Sequence, residues 1–176
     1  AVDVRKSYGK GDTAVTALAG VSLDVAGGAM TAVMGPSGSG KSTLMHCLAG
    51  LDSIDSGAIE IGGTSVVGMN DKQLTALRRD RVGFVFQQYN LLPTLTAGEN
   101  ISLPLDIAGK KVDQAWYDEV VAAVGLADRL THRPAELSGG QQQRVACARP
   151  LVTRPDVAFA RAPTGTPAPR SRPKVL

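Results

Sequence analysis

Acidic residues are missing from the end of this chain. All 16 lie at or before Asp156, while Arg161, Arg170, Arg172 and Lys174 come after it. The pI near 9.0 and the net charge of +3 therefore belong to the tail, and the body is close to neutral. That distribution argues against a broad nucleic-acid surface, and no nucleic-acid partner is expected. A solvated end is the simpler reading of the Pro/Arg tail, with an anionic contact as the alternative. Aromatics are scarce at 4%, which excludes an extended aromatic ligand platform. The two cysteines, Cys47 and Cys147, have no metal-ligand spacing; both are expected as reduced core residues inside helices, with a disulfide between them as the alternative. No apolar run approaches the ~20 residues that span a bilayer. The first residues lack a basic-then-apolar leader pattern, so the expected compartment is the cytoplasm. The 176 residues, 43% hydrophobic and 20% charged, suit one globular domain with a proper core.

Glycine, in contrast, is plentiful at 20. Its most informative use is Gly35-Pro36-Ser37-Gly38-Ser39-Gly40-Lys41-Ser42, which matches G-x-x-x-x-G-K-[ST]. An apolar run, Ala32-Val33-Met34, is expected as the strand before it, and a helix over 41–50 follows. The glycines let backbone N–H groups turn inward around phosphate oxygens, and the helix N-terminus adds partial positive charge. Lys41 can reach the β and γ phosphates, and the Ser42 hydroxyl can ligate Mg²⁺. His46 and His132 are expected as a surface helix residue and a loop residue, without chemistry.

A second phosphate-type surface is Leu137-Ser138-Gly139-Gly140-Gln141, where Ser138 is placed to cap a helix behind paired glycines. With both motifs in this order, the chain resembles the ATP-binding cassette (ABC) transporter ATPases over residues 1 to about 160. Gly35–Ser42 stand at their Walker A loop, Thr43 directly after it, and Leu137–Gln141 at their signature motif. Gln87, ending an expected strand Val82–Phe86, resembles the Q-loop residue that contacts Mg²⁺ or the attacking water. Tyr8 resembles the aromatic that stacks on adenine. The wording is nearest the lipoprotein-releasing, macrolide-exporting and cell-division branch. The resemblance implies ATP and Mg²⁺ as ligands. It implies a dimer of ATP-binding subunits, homo- or heteromeric, in which Leu137–Gln141 meet the partner copy's ATP. It also implies a transmembrane permease docking near Tyr89–Thr96, and a location on the inner face of the cell membrane.

The resemblance fails first in the Walker B strand. The family's Walker B strand ends in Asp-Glu before Pro-Thr, whereas here Val157-Ala158-Phe159-Ala160 runs into Arg161 and Ala162 before Pro163-Thr164. Arg161 reverses charge where Mg²⁺ is held, and Ala162 removes the general base, whose loss costs ~10²–10⁴-fold in rate. Hydrolysis is expected to be impaired. No D-loop or switch histidine follows, and Pro150 falls inside the signature helix, where the family usually carries Ala.

The expected fold is α/β: a P-loop NTPase (RecA-like) core, an N-terminal antiparallel β layer, an inserted helical subdomain and a shortened C-terminal part. Residues 1–86 and 142–160 are assigned to the core, 87–141 to the helical subdomain, and 161–176 to an aberrant tail. Helix starts are expected at Asn70-Asp71 and at Thr96, where Glu99 completes a capping box. Trp116, Val120 and Val124 recur every fourth residue before Gly125, with Trp116 expected in the helical core.

Overall fold

The computed structural model describes residues 1–86 and 88–160. Strand β1 (Val2–Tyr8) pairs antiparallel with β2 (Val15–Val21) on one side and with β3 (Ser56–Ala58) on the other. The expected antiparallel layer is thus present. Alternation places Val4 and Lys6 inward, at 0% and 7% exposure. Burying a lysine is unfavourable unless it is paired, and Lys6 donates to Asp52 at 2.9 Å and to Ser53 at 3.2 Å.

Helix α1 (Lys41–Leu48) buries Leu44 and Cys47 under this layer. A short hairpin of β4 (Glu60–Ile61) and β5 (Thr64–Ser65) follows, and then helix α2 (Asp71–Arg81) runs directly into β6 (Val82–Val85). Asn70 caps α2 in a complete capping box with Gln73. β6 pairs in parallel with β7 (Val157–Ala160), Phe84 opposite Phe159 and Val85 opposite Ala160. The rings of Phe84 and Phe159 stack with centroids 5.9 Å apart.

The expected strand at Ala32–Met34 is not formed. Met34 is 85% exposed and Val33 41% exposed, and no described strand pairs with them. An apolar run becomes a strand only where a neighbour takes up its N–H and C=O groups, and periodicity cannot report that neighbour.

Three further helices make a second core. Helix α3 (Ala97–Ile107) starts at Thr96 with the expected capping box to Glu99. Helix α4 (Gln114–Ala123) follows, and Gly125, at φ 62, turns the chain after it. Helix α5 (Gly139–Leu151) contributes Val145 and Ala148 to the cluster that holds Ile101, Leu105, Tyr117 and Leu126. Each of the Val, Ile and Leu side chains there contributes about 1.5–3 kcal/mol when fully buried. Trp116 is a rim residue rather than a core one. It is half-buried, donates to the Leu151 carbonyl at 3.0 Å and lies under Arg154, while Tyr117 takes the interior place. Pro150 stands one residue before the end of α5, not deep within it, so its missing N–H costs one bond of the last turn. Its ring packs on Gly83, where an added Cβ would come within 2.8 Å of Pro150.

Candidate functional site

Among the described residues, four of the five α-helices carry a side-chain cap: Asn70, Thr96, Asp113 and Ser138 each accept from a first-turn backbone N–H. The fifth, α1, does not. Its N-cap is Gly40 at φ 83, and no acidic residue lies in its first turn. The loop before it takes left-handed backbone at Gly38 and Gly40, conformations that glycine adopts without penalty. Gly40 is further required by space, because a Cβ there would meet the Ala17 carbonyl. The chain thus builds a helix N-terminus with its amides and positive end left open to an external anion.

The loop from Gly35 to Ser39 is exposed, with Ser42 also exposed and Thr43 half-buried on the first turn of α1. Lys41 curls back over the loop, its Nζ donating to the carbonyls of Gly35, at 2.9 Å, and Pro36 and meeting Ser39 Oγ at 3.3 Å. The ammonium is therefore held above the cradle by weak neutral acceptors. Beside it lies a cleft of about 260 Å³ walled by Leu18, Val21, Met34 and Leu44.

Tyr8 ends β1 on the same side, 43% exposed. Its hydroxyl donates to Asp52 Oδ2 at 2.6 Å, and Lys6 Nζ sits 5.2 Å from its ring centroid. The Asp52 carboxylate holding that proton pushes the Tyr8 hydroxyl pKa up, against an opposing contact with Thr43. Asp52 and Lys6 were not legible as site residues in the sequence. Their only signal was a lysine at an inward position of an alternating strand.

At the second motif, Leu137 is buried while Ser138, Gly139 and Gly140 are exposed. Ser138 accepts from the Gln141 N–H and the Gln141 side chain accepts from the Ser138 N–H, a closed capping box. Gly139 and Gly140 have no positive φ, and a Cβ on either would meet nothing within 4 Å. The fold of this chain gives no reason for glycine at either position.

The segment after β6 is organised from two helices. Buried Asn100 of α3 accepts from the Leu92 N–H and donates to the carbonyls of Leu92, Leu95 and Thr96. Arg149 of α5 donates to the carbonyls of Asn90, at 2.8 Å, and Tyr89, at 3.2 Å. Leu92, Pro93 and Thr94 are exposed, whereas Leu91 packs against the helical core. Both organising residues interrupt apolar stripes, Ala97-Asn100-Ile101-Leu105 and Val145-Ala148-Arg149-Val152. That interruption was the available signal. Gln87, Arg161 and Ala162 lie outside the described residues, as does the rest of 161–176. Among the described residues no cluster of metal-ligating side chains occurs, and no helix is long and apolar enough to cross a membrane.

A glycine loop opening onto an uncapped helix, set among antiparallel and parallel strands, defines a P-loop nucleotide-binding protein of mixed α/β architecture. The chain belongs to the ABC transporter family, which matches residues 18–165. It is 49% identical over 166 residues, 93% of its length, to the lipoprotein-releasing system ATP-binding protein LolD of Geobacter metallireducens, and covers 74% of that protein. It is 46% identical over 98% of its length to the macrolide export ATP-binding/permease protein MacB of Bdellovibrio bacteriovorus, but spans only 27% of it. Among solved structures, the ATP-binding cassette MJ0796, a dimer in a post-hydrolysis state bound to ADP and Pi, superposes with a TM-score of 0.74 at 40% identity. The match covers 90% of this chain and 71% of that one.

Proposed function

We propose that this chain is the ATP-binding subunit of a transporter, taking ATP at Gly35–Thr43 to power movement of a substrate through a membrane partner. The observation that carries the reading is the uncapped α1 N-terminus behind Gly40, left open among the described residues beside four α-helix starts that carry a side-chain cap. Backbone N–H groups of Gly35, Ser37, Gly38, Ser39 and Gly40 surround the phosphates, while Pro36, which has no N–H, shapes the same loop. Lys41 exchanges its loop carbonyls for the β and γ phosphates, because a charge-assisted bond to phosphate is stronger than one to a neutral carbonyl. The Ser42 hydroxyl and the Gln87 side-chain carbonyl are the residues that would hold Mg²⁺, which supplies charge neutralisation at the β and γ oxygens. Tyr8, anchored through its hydroxyl, offers a ring face to adenine.

Leu137, Ser138, Gly139, Gly140 and Gln141 are assigned to the ATP of a second subunit, in a homo- or heterodimer. Glycines that nothing within the chain requires suit a surface that another molecule approaches closely. Segment 89–96 is assigned to docking of a transmembrane permease, which places the subunit on the cytoplasmic face of the membrane. Residues 1–86 and 142–160 are assigned to the nucleotide-binding core and 87–141 to the helical subdomain, with α5 joining the two, since its Val145 and Ala148 pack in the helical cluster. Hydrolysis is impaired, since Arg161 and Ala162 replace the Mg²⁺-holding acid and the general base. Those two residues also favour a second reading, a non-catalytic partner that contributes only Leu137–Gln141 to a heterodimer.

The test is equilibrium titration with a fluorescent ATP analogue in Mg²⁺. Saturable binding that weakens by about 10-fold or more in Lys41→Ala, the loss expected for a charge-assisted bond to phosphate, supports the first reading. Wild-type protein that does not bind the analogue refutes it.

A further inference from the structure

Among the described residues, the polar link between α5 and the segment after β6 is the guanidinium of Arg149. It spans 59 and 60 residues of sequence to reach the Asn90 and Tyr89 carbonyls. No carboxylate pairs with it among the described residues. Two parallel N–H donors in a planar fork fix direction as well as distance. Asn90 is held at φ 47, a left-handed backbone that this clamp helps to stabilise.

Arg149 stands eleven residues beyond Ser138, the N-cap of one continuous helix, roughly 16 Å along its axis at about 1.5 Å per residue. The far side of the segment is tied separately, by four bonds from Asn100 to Leu92, Leu95 and Thr96. The exposed residues Leu92, Pro93 and Thr94 therefore sit between two anchors, one on α3 and one on α5.

We propose that Arg149 is a positioning residue that transmits displacement of α5, produced when ATP engages Ser138–Gln141, to the permease-docking segment 89–96. The inference rests on the functional reading above for both the nucleotide and the docking partner. A rigid helix moved at its first turn carries its last turn with it, and the fork then pulls on two successive carbonyls. Asn100 keeps the other end of the segment in place, so the motion appears as a change in the shape of 89–92.

The experiment is hydrogen–deuterium exchange on the whole chain, with and without MgATP, for wild type, Arg149→Met and Arg149→Lys. Nucleotide affinity and Tm are measured on the same samples. Without nucleotide, losing the fork is expected to speed exchange across 88–95 by about 10-fold, as for a lost charged hydrogen bond, while α3 is unchanged. In wild type, MgATP is expected to alter exchange in 88–95. Arg149→Met is expected to bind MgATP with affinity within about twofold of wild type, yet show no response in 88–95. Arg149→Lys keeps the charge without the fork, so it is expected to lose most of the response too.

Equal exchange in 88–95 across all three proteins without nucleotide overturns the clamp, whether or not ATP binds. An ATP response in Arg149→Met as large as in wild type overturns the transmission. The absence of nucleotide binding by wild type instead refutes the functional reading and leaves the clamp judged by the nucleotide-free comparison.

Discussion

The Tyr8 hydroxyl donates a 2.6 Å hydrogen bond to Asp52, whose other oxygen accepts from Lys6 at 2.9 Å. One carboxylate thus orients an exposed ring and satisfies a buried ammonium. The Tyr8 bond and then Lys6 hold the Asp52 carboxyl below its usual range, and Asp52 holds the Lys6 ammonium pKa up. The Asp52 contribution to stability is present above its unfolded pKa of about 4 and is lost as pH falls through the lower folded value. The Lys6 contribution has the opposite sense. It is present below the unfolded pKa of about 10.4 and disappears as pH rises through the raised folded value.

Asp52→Asn is therefore expected to destabilise the protein at pH 7 by about 1–3 kcal/mol, the cost of weakening a charged hydrogen-bond pair. Thermal unfolding of both proteins between pH 7 and pH 3 checks the sign. The Tm gap should narrow towards pH 3, and a gap constant across that window would show that the Asp52 charge contributes nothing.

Asn100 is fully buried and satisfies four backbone groups of the loop ahead of α3. Asn100→Ala strands those groups, at about 1–3 kcal/mol for each one left dry. Water entering the cavity recovers part of that, so a net loss of about 3 kcal/mol is expected, equivalent to a Tm drop of about 6–12 °C. Asn100→Asp keeps the acceptor for the Leu92 N–H but turns the amide donor into an oxygen facing three carbonyls. It should be at least as damaging, and a Tm within a degree of wild type for either variant would contradict this account.

Arg161 and Ala162 carry the expectation about hydrolysis. Steady-state MgATP turnover of the wild-type chain should equal that of Lys41→Ala. The double variant Arg161→Asp, Ala162→Glu should exceed both by about 10²-fold or more, the usual contribution of a general base. Turnover by the wild type well above the Lys41→Ala control would show that neither residue blocks the chemistry.

Features that depend on a few neighbouring residues were legible without the structure. The caps at Asn70 and Ser138 and the capping box at Thr96 form as expected, because a cap closes within three residues. The glycine loop before Lys41 is equally local, since its left-handed backbone at Gly38 and Gly40 needs no distant partner. The apolar run Ala32–Met34 misled for the complementary reason. Its hydrophobicity matches a strand, yet no described strand pairs with it, and Met34 remains exposed. Trp116 misled more mildly, because a four-residue spacing marks a stripe without saying whether its margin or its centre faces inward. Arg149 and Asn100 gave a faint signal as polar interruptions of apolar stripes, but no spacing rule says which carbonyls they reach.

By itself the sequence determined the family, the two phosphate-type motifs, where four helices start and where the net positive charge lies. Each of these is written in residues within a dozen positions of one another, or in plain composition. Only the tertiary structure decided that β6 pairs with β7, that Lys6 and Tyr8 share Asp52, and that Arg149 grips Asn90. Those contacts join residues 44 to 75 positions apart. Chain entropy opposes each closure, and only burial elsewhere in the fold selects which of the possible pairings survives.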